Sequence, residues 1–402
     1  MNQPTSMQPV DPEAPSIHAL LIGVSDYPDL SEDEDDSAPD EHLGLRKLRS
    51  PALTVYRIHE WLERRRPFLP LPLMSPRVLV SPSASELKLA PGLSKWSERA
   101  NLANTLAALE EWREKLARNP NSTALFYFAG HGVKRERRDD VLMLEGFGST
   151  PNRILKHAID STSLIDGMAP SREFPKIART QLYFFDACRV KPALFKKYEK
   201  VEADPIWDKT ELSKADDRSM LILYTTVAGT KAYGRSDDQS LFSRALVRCL
   251  DGAAAESADA GLMNWSVTGM SLANNLQNQL DIVNREYKST QLVEVGKSPT
   301  RDFVFNRLES PPSVSVRLQI EPEAARPWAE VEVLDHQAIT AWKLPFPVEP
   351  LPHPGVLPAG MYMVRAMDGR KDPEWAPGSW FRQATPKIND WSIPILRSKR
   401  VS

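Results

Sequence analysis

Seven histidines and two cysteines are the side chains in this sequence best suited to nucleophilic or acid–base chemistry. Of His18, His42, His59, His131, His157, His336 and His353, only His131 follows directly on an apolar run and has glycine on both sides, in Gly130-His131-Gly132. Glycine flanks leave an imidazole uncrowded and let a ligand approach the backbone closely. Cys188 also ends an apolar run, in Asp186-Ala187-Cys188-Arg189. A thiol beside an imidazole is a minimal nucleophile–base pair. The thiolate is the reactive form, and a neighbouring imidazolium lowers the thiol pKa from its free value of about 8.5. His131 can then return a proton to a leaving amine. Backbone N–H groups of Gly132 and Cys188 are the candidates for an oxyanion hole. Cys249 reads differently: with Leu241, Phe242, Ala245, Leu246 and Leu250 it makes the apolar face of a helix, where a thiol is an inert packing residue.

The elements that must position this pair are legible as apolar runs. Ile17–Val24, Arg77–Val80, Thr123–Ala129, Gln181–Phe185 and Met220–Thr226 read as short strands buried on both faces. Between them lie helices. Ser50-Pro51 carries start signals for one, with Leu53, Tyr56, Ile58, Trp61 and Leu62 roughly on one face. Asn101–Arg118 is a second, with Leu102, Leu106, Leu109, Trp112 and Leu116 at three- and four-residue spacing. Leu241–Leu250 and Thr268–Tyr287 follow. Strands alternating with helices predict an α/β fold with a mostly parallel sheet flanked by helices. In such a sheet ligands bind outside the carboxyl ends of the strands, where His131 and Cys188 both emerge. One right-handed crossover through residues 133–180 makes their strands neighbours.

Composition sets the outer bounds. Charged residues are 26% and hydrophobic ones 41%, enough for a real core, and Lys+Arg 51 against Asp+Glu 53 argues against a strongly basic nucleic-acid binder. Two cysteines exclude a disulfide scaffold and a four-cysteine zinc site. The apolar runs are too short for a membrane helix, and Met1–Ser16 lacks a secretory pattern, so a cytoplasmic protein without membrane or nucleic-acid partners is expected. Glycine motifs for nucleotide phosphates and the serine-hydrolase elbow are absent. Residues 311–402 hold 14 of the 34 prolines and alternate apolar with polar, as in Val314, Val316, Leu318 and Ile320. The expected organisation is a disordered tail (1–16), an α/β domain (17–310) and a small all-β, sandwich-like accessory domain (311–402). The acidic stretch from Glu32 to Asp36, continued by Asp40-Glu41, reads as a solvated loop, with a cation site or a lock on a basic partner as alternatives.

ALLIGVSDY (19–27), LFYFAGHGV (125–133) and YFFDACRV (183–190) together resemble the caspase-like cysteine peptidases, the group of caspases, metacaspases and bacterial relatives, and the metacaspase and bacterial type most closely. The separation of 57 residues between His131 and Cys188 is near the caspase spacing of about 50. LILYTTVAGTKAYGRSDDQSLFSRAL (221–246) is similar to the family's last-strand region, so the resemblance covers about residues 17–306.

The resemblance implies a cysteine endopeptidase with His131 and Cys188 as dyad, Gly132 and Cys188 as oxyanion donors, and Asp186 at the floor of the primary specificity pocket. A carboxylate there favours a cationic side chain, so cleavage after Arg or Lys is expected. Asp186 as a local cap or partner of Arg189 is the alternative. Metacaspases carry a second pocket acid in the helix after the first strand. The matching position here is Thr54, and Asp237 and Asp238 are candidates to substitute for that acid. No cofactor and no metal ligand set is assigned, and a calcium requirement stays open. The basic segment 190–218 occupies the place where relatives are cut during activation, and Lys134–Arg138 is a second basic loop. The partners implied are protein or peptide substrates and an upstream protease or regulator, in a signalling or defence setting as in bacterial relatives. A non-catalytic caspase-like interaction module is the competing reading.

Overall fold

The computed structural model describes residues 11–32, 42–134, 140–150, 153–187, 206–207, 216–227, 238–259, 264–344, 353–387 and 389–398. The elements in chain order include the expected ones and others besides. They are β1 (Ile17–Val24), α1 (Pro51–Arg65), β2 (Arg77–Ser81), α2 (Ala84–Leu89), α3 (Leu102–Leu116), β3 (Thr123–Gly130), β4 (Gly132–Lys134), β5 (Asp140–Met143), β6 (Ala158–Asp160), α4 (Ser161–Gly167), β7 (Thr180–Ala187) and β8 (Ser219–Val227). Then come α5 (Leu241–Arg248), β9 (Glu256–Ser257), β10 (Trp265–Thr268), α6 (Gly269–Tyr287), β11 (Gln291–Lys297) and β12 (Val304–Arg307).

The central sheet has the order β11-β8-β7-β3-β1-β2. Its first five strands in the chain run parallel, and β11 closes one edge antiparallel. Continuous apolar runs form these strands because helices cover both faces. On one face Leu20, Ile22, Phe126, Phe128, Tyr183 and Phe185 pack in one core cluster with Leu109, Trp112 and Leu116 of α3. Leu106 is the exception to the expected α3 stripe: it is exposed, and Thr105 and Ala108 face inward instead. On the other face α1 lies close over β1, which Gly23 permits, since a Cβ there would sit 2.8 Å from the Pro51 carbonyl oxygen. Ser50 makes no side-chain cap on α1. Two residues from elsewhere in the chain do that work: Ser25 Oγ accepts the Ala52 N–H at 3.0 Å, and Glu86 Oε1 accepts the Leu53 N–H at 3.0 Å.

The β3–β7 register ends with Gly130 opposite Ala187. The two candidate catalytic positions are the next residues along each chain. After β3 the chain turns into a small antiparallel sheet, β4-β5-β6.

The described chain divides into two compact units, residues 1–247 with 273–303, and 248–272 with 304–402. The second adds β13 (Ser313–Glu321), β14 (Ala329–Leu334), β15 (Thr340–Leu344), β16 (His353–Pro358), β17 (Gly360–Asp368), β18 (Gly378–Ala384) and β19 (Asn389–Pro394). They form two sheets, β16-β13-β19 and β15-β14-β17-β18. Val316, Leu318, Ile320, Val331, Val333, Val364 and Ile393 are buried, and Tyr362 of one sheet meets Trp391 of the other at 5.9 Å between ring centroids. These two sheets fall on the alternating C-terminal sequence, and the second unit also takes in residues 248–272 and 304–310.

Candidate active site

Two loops and strand β5 hold His131. The carbonyl of Arg46 receives its ring nitrogen Nε2 at 2.5 Å. A carbonyl only accepts, so Nε2 carries the proton and Nδ1 keeps its lone pair. The Tyr27 hydroxyl accepts the His131 backbone N–H at 2.9 Å and donates to the Met143 carbonyl at 3.1 Å. The Met143 N–H in turn donates to the His131 carbonyl at 2.9 Å. The tyrosine hydroxyl is thus inserted into the rung that an antiparallel ladder would close directly between His131 and Met143. Gly130 makes room for it, because a Cβ there would lie 3.0 Å from the Tyr27 hydroxyl. The Tyr27 and His131 rings also touch, with centroids 5.0 Å apart. Burial lowers the His131 pKa to about 4, against the raising effect of the Arg46 carbonyl, so the ring is neutral at pH 7.

Gly132 opens β4 opposite Leu142 of β5. The Met143-to-His131 bond makes that rung hydrogen-bonded, and alternation makes the Gly132/Leu142 rung non-bonded. The Gly132 N–H is therefore directed away from β5.

Cys188, Asp237 and the run from Glu34 to Asp36 lie outside the described residues, as do Asp33, Asp40-Glu41 and the basic residues Arg135 to Arg138. The peptide leading out of β7 is held by Thr225 of β8, whose hydroxyl donates to the Ala187 carbonyl at 3.0 Å.

Two residues before Cys188, Asp186 lies on the sheet face opposite the α3 core. Its Oδ2 accepts from the Tyr127 hydroxyl at 2.8 Å and from the Ser240 hydroxyl. Ser240 also accepts the Ser243 N–H at 3.0 Å, capping α5, and donates its own N–H to Thr54 Oγ1 at 2.8 Å. Thr54, singled out as the position of a missing second acid, thus sits one hydrogen bond from the serine that touches Asp186. Asp186 as a whole residue is intermediate in exposure. Burial raises its pKa to about 6, and the two hydroxyl donors pull against that shift. Burial, together with the Asp186 charge, raises Tyr127 well above the usual tyrosine range, so it stays a donor. Asp238 is committed elsewhere: its Oδ2 pairs with Arg244, whose guanidinium also lies over the Tyr287 ring. Cys249 is buried in apolar surroundings that push its thiol pKa up, matching the packing role expected for it.

Of the basic segment 190–218, Ile206, Trp207 and residues 216–218 are described. The Trp207 indole N–H donates to Glu110 at 2.8 Å, and the Arg113 guanidinium lies between the Trp207 and Phe174 rings. Arg218 is 4% exposed, with its guanidinium on Asp216 and on the Ile165 carbonyl. That burial removes it from the bonds a protease reaches in the folded chain. Among the described residues there is no group of His, Cys, Asp and Glu that could hold a metal ion, and no helix is long and apolar enough to cross a membrane.

A six-stranded sheet with a histidine at its carboxyl edge, a cysteine one residue past the neighbouring strand and an acid two residues before that cysteine defines a class of fold and site. The family model for the caspase domain matches residues 16–303, and the chain belongs to that family of cysteine peptidases. It is also similar to the uncharacterized protein y4kE of Sinorhizobium fredii (strain NBRC 101917 / NGR234), with 25% identity over 268 residues, covering 66% of this chain and 74% of that protein.

Proposed function

We propose that the protein is a cysteine endopeptidase that cleaves after Arg or Lys. The observation that carries this reading is the way His131 is held. Arg46 fixes the proton on Nε2, which leaves Nδ1 as a base at the end of the strand that neighbours β7. In the proposed cycle Nδ1 takes the Cys188 thiol proton as the sulfur attacks the scissile carbonyl. The oxyanion is met by the Gly132 and Cys188 N–H groups, and His131 then gives the proton to the leaving amine. Water, deprotonated by the same nitrogen, releases the acyl group and restores the thiol. The Asp186 carboxylate supports the basic preference: among the described residues its hydrogen-bond partners are two neutral hydroxyls, which do not compensate its charge. Asp237 is kept as a candidate contributor to the pocket. Asp238 is a weaker one, because Arg244 already neutralises it. Activation by cleavage within 190–215 or by a partner belongs to the same reading, supported by the lysines of that segment.

The test is a panel of fluorogenic peptides with Arg, Lys, Asp or Leu before the cut, read with wild type and Cys188→Ala, before and after nicking of the 190–215 segment. Cys188-dependent turnover of the Arg and Lys peptides is expected. Turnover only after Asp refutes the pocket assignment. No Cys188-dependent turnover in either state favours the interaction-module reading.

A further inference from the structure

Resting on the peptidase reading, we infer that Asp26 and Lys47 are positioning residues for the general base, acting through a chain of alternating charges that ties together the three segments holding His131. The chain runs Glu32, Lys47, Asp26, Arg99, Glu145. Lys47 Nζ lies 3.4 Å from Glu32 Oε1 and 3.1 Å from Asp26 Oδ1. Arg99 reaches Asp26 Oδ2 at 2.9 Å with Nη2 and Glu145 Oε1 at 2.5 Å with Nε. Glu145 is anchored in turn to β2 by the Ser81 hydroxyl at 2.8 Å.

Each of the three residues described above as holding His131 lies one or two positions from a member of this chain. Tyr27 follows Asp26, the Arg46 carbonyl precedes Lys47, and Met143 is two residues before Glu145. Backbone bonds already tie the Arg46 segment to the loop after β1, through Lys47 N–H to Ser31 and Leu48 N–H to Ser25, both at 3.0 Å. The Tyr27 hydroxyl joins that loop to Met143 at the His131 rung itself. The charges add a second tie on the solvent side, where Asp26 faces both Lys47 and Arg99. Two cations converging on one carboxylate set the distance between the Arg46 carbonyl and the Tyr27 hydroxyl, and so whether His131 can satisfy both at once.

Magnitudes separate this role from a purely structural one. Lys47, Asp26 and Arg99 are all partly exposed, and pairs of that kind add little to global stability. A misplacement of the base, by contrast, is felt directly in the chemical step. The test uses the full chain with Asp26→Asn and Lys47→Met, and Lys47→Arg as the conservative variant. Two readouts are taken beside the melting temperature. The first is steady-state kinetics on the best peptide of the panel. The second is the ring-nitrogen NMR signal of His131 in protein labelled with nitrogen-15 histidine, which reports the tautomer whether or not the enzyme turns over.

Asp26→Asn and Lys47→Met are expected to lower kcat about tenfold (roughly 1.4 kcal/mol) with KM within about twofold. The melting temperature should move by no more than about 3 °C. The His131 signal should shift from a fixed Nε2–H form toward a mixture of tautomers, and Lys47→Arg should restore both readouts. An unchanged nitrogen signal in both variants overturns the inference, and so does a wild-type kcat beside a shifted signal. If wild type itself shows no turnover, the peptidase reading fails, and the nitrogen signal alone decides whether the charges position His131.

Discussion

Asp186 is a carboxylate whose proposed job and environment conflict. Recognising a cationic side chain needs the ionised form, while burial favours the neutral acid and raises the pKa to about 6. The carboxyl is therefore mostly ionised at pH 7.5 and mostly protonated at pH 5. The expected outcome is that kcat/KM for an Arg or Lys peptide, divided by that for a Leu peptide, rises several-fold between pH 5 and 7.5. Taking the ratio cancels the titration of the dyad, and kcat/KM reports the free enzyme. In Asp186→Asn the ratio should be low and flat. A ratio independent of pH in wild type would place the basic preference on some other group. At this scale the sequence was informative for side chains that leave strands at the carboxyl edge: His131 and Asp186 were visible because apolar runs stop at them. Tyr27 lay inside a motif, yet its hydroxyl contact with the His131 backbone spans 104 residues and no local pattern announces it. The Arg46 contact is less legible still, because a backbone carbonyl is present at every residue and only the fold selects one.

Among the elements, α1 shows how a correct helix start can hide the group that stabilises it. Ser50-Pro51 marks the start, but the first-turn N–H groups of Ala52 and Leu53 are met by Ser25, in the loop after β1, and by Glu86, in α2 after β2. Glu86 is fully buried and accepts four hydrogen bonds, from Ser25, Leu53 and both the N–H and hydroxyl of Ser83. Burial raises its pKa and the four donors oppose that rise. Glu86→Ala would leave the buried Leu53 N–H and the partly buried Ser83 N–H without their acceptor, at about 1–3 kcal/mol each. A loss of about 3–5 kcal/mol in urea unfolding is expected, with Glu86→Gln intermediate. A loss below about 1 kcal/mol would show that water or a shifted helix replaces the carboxylate. Because Thr54 follows Leu53, the same variant should weaken the pocket floor around Ser240. The parallel strands were legible because burial on both faces writes a continuous apolar run. β11 was not foreseen: as an antiparallel edge strand it leaves Leu292 and Val295 partly exposed, and its pattern is too mixed to separate from loop.

Across the whole molecule, the buried histidines and carboxylates set opposing pH dependences of stability. Burial lowers His18 and His131 from 6.5 to about 4, with Lys115 and Arg118 adding to the effect at His18. Between pH 6.5 and 4 the unfolded chain takes up a proton at each site and the folded chain does not. Stability from these groups is therefore complete above pH 6.5 and falls as pH drops toward 4. For His131, which is 6% exposed, the full effect is about 3 kcal/mol. For His18, which is half-buried, it is smaller. Asp186 has the opposite sign, since its folded pKa of about 6 lies above the ordinary 3.8. The folded chain protonates first, so this group adds stability as pH falls from 6 to 3.8. Glu86 is raised as well and acts in the same direction. On a Cys188→Ala background, where no thiol couples to the imidazole, His131→Gln should flatten the fall in melting temperature between pH 6.5 and 4. Asp186→Asn should steepen it below pH 6, by removing a group that offsets the histidines. If both variants keep the slope of the parent, the acid limit of the fold is set by other carboxylates. If the two slopes change in the same direction, one of the two environments is misassigned. Opposite changes would tie the pH range in which the protein stays folded to the two side chains assigned to the base and the specificity pocket.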